Sequence, residues 1–449
     1  MKKVITYGTF DLLHEGHYRL LKRAKALGDY LIVGVTSESY DKARGKLSVV
    51  DSLATRIENV KKTGFADEII VEEYGGQKFN DIKKYGIDVF TVGSDWVGRF
   101  DYLKDYCEVV YLERTKNISS TMLRAERHAI KRIGIIGTGR IANRFIPESK
   151  CVSGVDVHGV YNPHGESARK FAERHEITAY KSLDELYENV DMVYVASPHE
   201  THYEYIKSAL AHGKHVLSEK PMVLKKAQAE ELFACAKAKN LLLYEGIKTA
   251  YAPGFHKLLG IACSGHIGAI KNVEACFTKL EDSSHRELVD TEYGGSFLEL
   301  GSYVMLPILK LLGMDYTNIS FDSIQGENGL DLFTRATLSY PHGLATVTVG
   351  LGVKSDGRLL VSGTKGYIVV EAPWWKTTYF EVHHEDPSQI EKYSEPFLGD
   401  GLRYEISDML NQINAAEMND FRLTKEESIA LSEVMEEFRK SRELKNKDE

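Results

Sequence analysis

Nowhere in its 449 residues does this chain carry an apolar run of the ~18 residues that a membrane-spanning helix needs, which argues against an integral membrane protein. Met1-Lys2-Lys3 leads straight into a strand without a signal-like apolar core, and the few, unpaired cysteines make a reducing cytoplasm the expected compartment. Cysteine is scarce. Cys107, Cys151, Cys235, Cys263 and Cys276 are odd in number and form no C-x-x-C pair, which excludes a disulfide framework and a thiolate metal site of ordinary spacing. Only 10 prolines, with no repeat and no low-complexity linker, exclude a fibrous or disordered chain. Positive charge is not in excess either. A net charge of -8 gives no general attraction for nucleic acid or an anionic membrane, so any phosphate must be held by local clusters and the expected partners are small molecules.

What is present is length, too much for one core, and a prior of ~150 residues per domain suggests three units, placed at 1–130, 131–250 and 251–449. In the first, strand patterns at Lys3–Tyr7, Leu31–Val35, Glu68–Val71 and Val89–Val92 alternate with helical ones through Leu20–Leu27 and Thr55–Thr63. That alternation predicts an α/β fold with a doubly wound parallel sheet. Its site belongs beyond the carboxyl ends of the strands, where Thr9–His17 and Gly93–Phe100 fall. His14 and His17, three apart at a helix start, share one face; Gly16 admits a phosphate to the backbone, and the helix N-terminus supplies N–H donors. This arrangement suits displacement of pyrophosphate from an α-phosphate by an incoming phosphate, with catalysis by positioning and charge stabilisation and no covalent nucleophile. An isolated H-x-x-H is more often a satisfied core histidine; the complete string Gly8-Thr9-Phe10-Asp11-Leu12-Leu13-His14-Glu15-Gly16-His17 reverses that weighting. In Arg114-Thr115-Lys116-Asn117-Ile118-Ser119-Ser120-Thr121, hydroxyls at a helix start beside cations suit the outer phosphates of a nucleoside triphosphate, or form a plain cap.

With both strings, and Gly93-Ser94-Asp95-Trp96 between them, the first unit resembles the glycerol-3-phosphate cytidylyltransferase family over about 125 residues. The resemblance implies CTP as substrate and a Mg2+ ion. It places His14 and His17 on the triphosphate, Thr9, Lys46, Arg114, Ser119 and Thr121 on further phosphate oxygens, and Phe10 and Ser120 in the same nucleotide site. Asp11 and Asp95 are implied nearer the acceptor alcohol or the cytidine ribose. Glu15 stands where some members carry Trp, Asn117 where R-T-x-G-I-S-T has glycine, and Gly64 where a basic residue is expected. These departures bear on the acceptor more than on the reaction class.

From Ile133 a new apolar strand leads into Gly137-Thr138-Gly139-Arg140-Ile141-Ala142, whose glycines permit a tight turn and let a pyrophosphate sit on the following helix N-terminus. The next strand, Val155–Tyr161, ends in Asn162-Pro163-His164 with no carboxylate to take a ribose 2′-hydroxyl. With Arg140 and Arg169 at hand, NADP is favoured and NAD possible. Then come Ser197-Pro198-His199 and Glu219-Lys220-Pro221, where Lys220 ends a strand and Glu219 can orient it; a solvated lysine is the ordinary alternative.

These strings resemble the Gfo/Idh/MocA oxidoreductases, with their E-K-P tripeptide. Tyr293–Tyr303 resembles the G-G-G-x-L-x-D-x-G-x-Y block of the branch holding dihydrodiol dehydrogenases and sugar reductases. The resemblance implies a Rossmann domain followed by an α+β open-sheet substrate domain, and a homo-oligomer, dimer or tetramer. It implies Tyr303 as general acid/base, with Lys220 lowering its pKa and polarising the carbonyl. Gly137, Gly139, Arg140, Ile141, Ala142, Asn162, Ser197, Pro198, His199 and Glu219 are the implied cofactor contacts. Glu299 replaces the usual Asp, Ala250 replaces an arginine, and Lys248 is left to meet an anionic substrate. His256 and His266 carry no pairing that suggests a metal, and no metal ligand is expected. Leu332–Tyr340 and Leu344–Val353 predict a hairpin, Lys425–Lys440 an amphipathic helix, and Ser441–Glu449 a charged tail.

Two activities on one chain suggest consecutive steps. A phosphorylated ketose or aldose would be reduced to an alditol phosphate, which CTP would convert to a CDP-alditol for a surface polymer. Two alternatives stay open: a reductase acting on an unrelated free or nucleotide-linked sugar, and one unit kept as a non-catalytic binding module.

Overall fold

Runs of branched apolar residues such as Val4-Ile5 and Leu31-Ile32-Val33 are what a strand covered on both faces requires, and here they lie fully buried. The computed structural model describes residues 1–43, 49, 51–74, 76–113, 130–414 and 422–448. Contacts divide the chain into two compact units, Met1–Ile130 with Val152–Gly154, and Lys131–Cys151 with Val155–Glu449. Among the described residues no helix is long and apolar enough to cross a membrane.

The first unit is a five-stranded sheet of β1 (Lys3–Gly8), β2 (Tyr30–Thr36), β3 (Glu68–Glu72), β4 (Val89–Gly93) and β5 (Glu108–Leu112), in the order β3-β2-β1-β4-β5. All of its pairings are parallel. Helices Glu15–Lys25 and Leu53–Lys62 bury Leu21, Ala24 and Val60 in one apolar cluster, while Gln77–Tyr85 sends Ile82 into another. The strand order reverses beside β1, so a crevice opens at its carboxyl end. Thr9–His17 begins there.

The second unit contains two sheets. Its first is parallel: β6 (Lys131–Ile136), β7 (Val155–Tyr161), β8 (Thr178–Ala179), β9 (Met192–Val195), β10 (His215–Glu219) and β11 (Leu243–Gly246), in the order β11-β10-β9-β6-β7-β8. The second has eight strands: β12 (Ile270–Thr278), β13 (Asn318–Gln325), β14 (Asp331–Tyr340), β15 (Gly343–Gly350), β16 (Leu359–Gly363), β17 (Gly366–Val370), β18 (Tyr379–His384) and β19 (Ile390–Ser394). Their order is β13-β14-β15-β12-β16-β17-β18-β19, antiparallel except for β12 with β15. β14 and β15 form the expected hairpin, with Tyr340 opposite Gly343. The helix Ser296–Leu312 is apolar nearly all round and packs on this sheet, which fixes Glu299 and Tyr303.

One expectation fails. The segment from Ser441 is not a loose tail: the helix that starts at Lys425 runs on to Asp448. Arg442 donates from it to the carbonyls of Thr291, Glu292 and Gly294, and Lys, Glu, Arg and Leu are all favourable in a helix interior.

Candidate active sites

In the first unit the loop after β1 turns sharply, with Phe10 and Leu12 in the left-handed region at φ 51° and 46°. Such conformations cost about 1–3 kcal/mol each unless the surroundings hold them. Here Arg56 does so. Fully buried on the inner face of its helix, it donates to the carbonyls of Thr9 and Thr36 at 2.8 Å and of Asp51 at 3.0 Å, and meets Asp41 at 3.3 Å. Thr9 also donates to Asp41 at 2.9 Å, while Asp11 accepts from the Asp51 N–H at 2.9 Å. Thr9 and Asp11 are therefore framework groups of this loop as well as expected ligand contacts.

His14 is the N-cap of the following helix, its Nδ1 accepting from the Gly16 and His17 N–H groups at 3.0 and 3.4 Å. Capping turns its Nε2 edge away from the helix. The His14 and His17 rings stack 3.9 Å apart, and Phe10 lies edge-on to His17 at 5.4 Å. The structure thus brings Thr9, Phe10, Asp11, His14 and His17 together. Lys46, Arg114, Ser119, Ser120 and Thr121 lie outside the described residues, as does the side chain of Asp95. Arg56, Asp41 and Asp51 were not foreseen. A charge at position 56, four residues before the buried Val60 on one helix stripe, was the available signal.

The second unit holds a cavity of about 920 Å³ at the carboxyl ends of β6, β7, β9 and β10. It is lined by Gly137, Gly139, Arg140, Ile141, Asn162, Ser197, Pro198, His199, Glu219, Lys220, Lys248, Glu299 and Tyr303, so thirteen of the residues expected here meet at one place. Ala142 is buried just behind. The glycine loop fits a dinucleotide. Gly137 has φ 108°, and a Cβ there would stand 2.4 Å from the Ala196 carbonyl oxygen; nothing lies within 4 Å of a Cβ at Gly139, so the backbone is open to a phosphate. Asn162 ends β7 and donates to Thr138 Oγ1 at 2.9 Å, leaving no carboxylate at that strand end. Arg140 reaches the cavity but is engaged by Glu287, with Glu281 at 3.8 Å. Arg169 is exposed and does not line the cavity.

Lys220 is held differently from expectation. Its Nζ donates to the Glu299 carbonyl at 2.9 Å and to Glu299 Oε1 at 3.0 Å. Glu219 instead accepts from the Tyr194 hydroxyl at 2.5 Å and from the Lys220 N–H at 3.3 Å. The Glu299 that departs from the family pattern is therefore the partner of the lysine. Lys220 Nζ stands 5.8 Å from the centre of the Tyr303 ring, which packs edge-on against Phe277, itself stacked on Trp375.

The expectation that Lys220 lowers the Tyr303 pKa is not met. Burial first, then Glu219, Glu405 and Glu299, hold the phenol well above its ordinary value, so it keeps its proton. Burial, with Lys220, His202 and Arg286 adding to it, holds His199 well below the usual imidazole range. Lys248 is lowered by burial although Glu219, Glu405 and Asp400 face it. Sequence reasoning missed Glu405, fully buried, with neither oxygen hydrogen-bonded among the described residues. Its place between Leu402 and Met409 on an apolar helix stripe was the signal. Outside these cavities the fold supplies a pairing that the sequence did not show for His266, which meets His384 and Glu391.

Comparison with known proteins agrees with this division. Residues 5–126 match the cytidylyltransferase-like family, and residues 131–247 match the oxidoreductase family with an NAD-binding Rossmann fold. The glycerol-3-phosphate cytidylyltransferase of Bacillus subtilis (strain 168) is 50% identical over 126 residues, 28% of this chain and 97% of the relative. The trans-1,2-dihydrobenzene-1,2-diol dehydrogenase of Sus scrofa is 29% identical over 325 residues, 69% of this chain and 96% of the relative. A solved 3-ketoreductase from Actinomadura kijaniata, in complex with NADP and TDP-benzene, superposes with a TM-score of 0.58 at 24% identity, covering 68% of this chain and 95% of the other.

Proposed function

Because the chain is a fusion of a glycerol-3-phosphate cytidylyltransferase-like nucleotidyltransferase with a Gfo/Idh/MocA-family oxidoreductase, and so a bifunctional enzyme, we propose that its two reactions are consecutive. The oxidoreductase reduces a phosphorylated ketose or aldose with NADPH. The transferase then joins the resulting alditol phosphate to the cytidylyl group of CTP, with Mg2+, releasing pyrophosphate. A CDP-alditol of the glycerol or ribitol type, a precursor for a surface polymer, is the product.

The observation that carries this reading is the charge of the cavity in the second unit: Arg140, Lys220, Lys279 and Arg286 face it within ion pairs, while Arg144, Lys248 and Lys376 face it with no ion pair among the described residues. An excess of cations suits a phosphorylated substrate beside a phosphate-bearing cofactor. NADPH bound in this cavity would supply the hydride. Gly137 and Gly139 would admit its pyrophosphate, and at the carboxylate-free end of β7 Arg140, now paired with Glu287, would be the residue to meet a 2′-phosphate. Tyr303 gives its proton to the carbonyl oxygen as it becomes a hydroxyl, and Lys220, fixed by Glu299, stabilises the charge developing there. Lys248 takes the substrate phosphate.

In the first unit, His14 and His17 hold the α-phosphate while an oxygen of the alditol phosphate attacks it and pyrophosphate leaves. Lys46, Arg114, Ser119, Ser120 and Thr121 hold the outer phosphates, Phe10 stays with the nucleotide, and Asp11 and Asp95 orient the acceptor or the ribose. The reductase half is tested by comparing NADPH oxidation with ribulose 5-phosphate and dihydroxyacetone phosphate against the free sugars. Preference for the phosphorylated compounds by at least tenfold in kcat/KM is expected; equal or better turnover of the free sugars overturns this reading.

A further inference from the structure

At the β19 edge of the eight-stranded sheet three side chains converge on one point, two from adjacent strands and one from 125 residues away in sequence. His384 closes β18 and Glu391 lies in β19, where the register sets Glu391 opposite Val382; His384, two residues on from Val382, is its diagonal neighbour on the same face. His266 arrives from the turn between the helix Pro253–Cys263 and β12. That turn is rigid. Gly265 and Gly268 flank it at φ 82° and 76°, Ile267 is fully buried, and the Thr364 and Lys365 N–H groups bind the Ala269 and Ile267 carbonyls. Glu391 Oε1 receives His266 Nε2 at 2.6 Å and His384 Nε2 at 3.0 Å, the two rings lying 5.4 Å apart. Tyr393 donates to Oε2 of the same carboxylate at 2.6 Å and fixes its orientation.

We propose that His266, His384 and Glu391 form a divalent-cation site of the zinc type, which clasps the β18–β19 edge to the turn before β12. Two imidazole nitrogens and one carboxylate oxygen, all within 4.8 Å of one another, make a mixed N/O set. That set suits Zn2+ or Co2+ rather than Mg2+ or Ca2+, which take oxygen alone. Donors about 2.0–2.2 Å from one tetrahedral cation stand about 3.4 Å apart, so the half-exposed carboxylate must draw back by about 0.8 Å from His266 Nε2 and about 0.4 Å from His384 Nε2 as the two imidazoles close on the cation. The cation takes the Nε2 lone pair of each neutral imidazole, whose single ring proton is carried on Nδ1 after exchange through solvent, and no electron is transferred. The Tyr393 hydroxyl is the outer partner that such ligands ordinarily have. One coordination position stays open to water. None of the three ligands lines the cavity of the second unit, so the site stiffens a sheet edge and takes no part in hydride transfer.

The test uses the full chain stripped with EDTA and titrated with Zn2+ in a calorimeter and with Co2+ in a spectrophotometer. One tight equivalent per chain is expected, with visible Co2+ absorption of four-coordinate intensity and a rise in Tm on adding Zn2+. In His384→Ala and in Glu391→Gln the affinity should fall at least tenfold and the Tm rise should vanish. His266→Gln, which keeps a hydrogen-bonding group facing Glu391, should fold as the unaltered chain does and yet lose the tight equivalent. Unchanged stoichiometry and affinity in these variants would assign the metal to other histidines or thiols and overturn the proposal, as would the lack of any tight equivalent in the unaltered chain.

Discussion

In the proposed reduction Tyr303 is the proton donor, and its environment dictates a definite pH response. Because burial and neighbouring carboxylates raise its pKa well above the ordinary ~10, the proton is present through neutral pH and beyond. The reduction rate should therefore stay level from pH 7 to above about 10 as far as this group is concerned, and fall only when the phenol ionises. A pH–rate profile checks this; an alkaline fall that begins near neutrality and persists with saturating cofactor contradicts it. Tyr303→Phe should lower kcat by about 10²–10⁴-fold while NADPH still binds, as read by nucleotide fluorescence. In the first unit, Arg56→Met should destabilise the loop by roughly 3–5 kcal/mol, because Asp41 and two carbonyls lose a buried donor. Loss of pyrophosphate release with NADPH oxidation intact is the expected readout.

These residues also mark the limit of what the sequence discloses. His14, His17, Gly137, Lys220 and Tyr303 lie in contiguous strings whose chemistry is local, so they were legible one after another along the chain. Arg56 beneath the Thr9 loop, Glu405 beneath Lys248, and the meeting of His266 with Glu391 depend on segments that only tertiary packing brings together. Lys220 is a sharper case. Its neighbour in sequence, Glu219, turns to Tyr194, and a residue 79 positions away holds the ammonium.

At the scale of elements, the alternation of strand and helix disclosed the parallel sheet of the first unit, since periodicity is a property of the strand itself, whereas that of the second was read from its glycine turn and the family resemblance. The extent of the last helix was not legible, because its charged final turns are fixed by what Arg442 reaches on another segment. The turn from β6 into its helix should tolerate no side chain at position 137. Gly137→Ala sets a Cβ 2.4 Å from a backbone oxygen at a φ that L-residues avoid, and should abolish NADPH binding in a fluorescence titration. The helices Arg140–Ser149 and Leu402–Asn414 are joined by Arg403, which donates to Glu148 through Nε at 3.0 Å and Nη2 at 2.5 Å. Burial alone would raise the Glu148 pKa, but the guanidinium outweighs it and the carboxyl is lowered. The pair therefore contributes its full stability above the unfolded carboxyl pKa of about 4.3 and loses it as pH falls through the depressed folded value. Heat denaturation followed by loss of NADPH binding should grow steeper with acid below about pH 4.3 in the unaltered chain than in Arg403→Met.

For the whole molecule, each activity should be separable by one substitution. His14→Ala should abolish pyrophosphate release and leave NADPH oxidation unchanged; Tyr303→Phe should do the reverse for a supplied alditol phosphate. The central claim is that the product of one site is the substrate of the other. It is tested most directly by following pyrophosphate release from CTP with glycerol 3-phosphate or ribitol 5-phosphate, and again with the matching keto-phosphates, each with and without NADPH. Release is expected from one alditol phosphate regardless of NADPH, and from its keto-phosphate only when NADPH is present. Release from the alditol phosphate with none from its keto-phosphate in the presence of NADPH would contradict it.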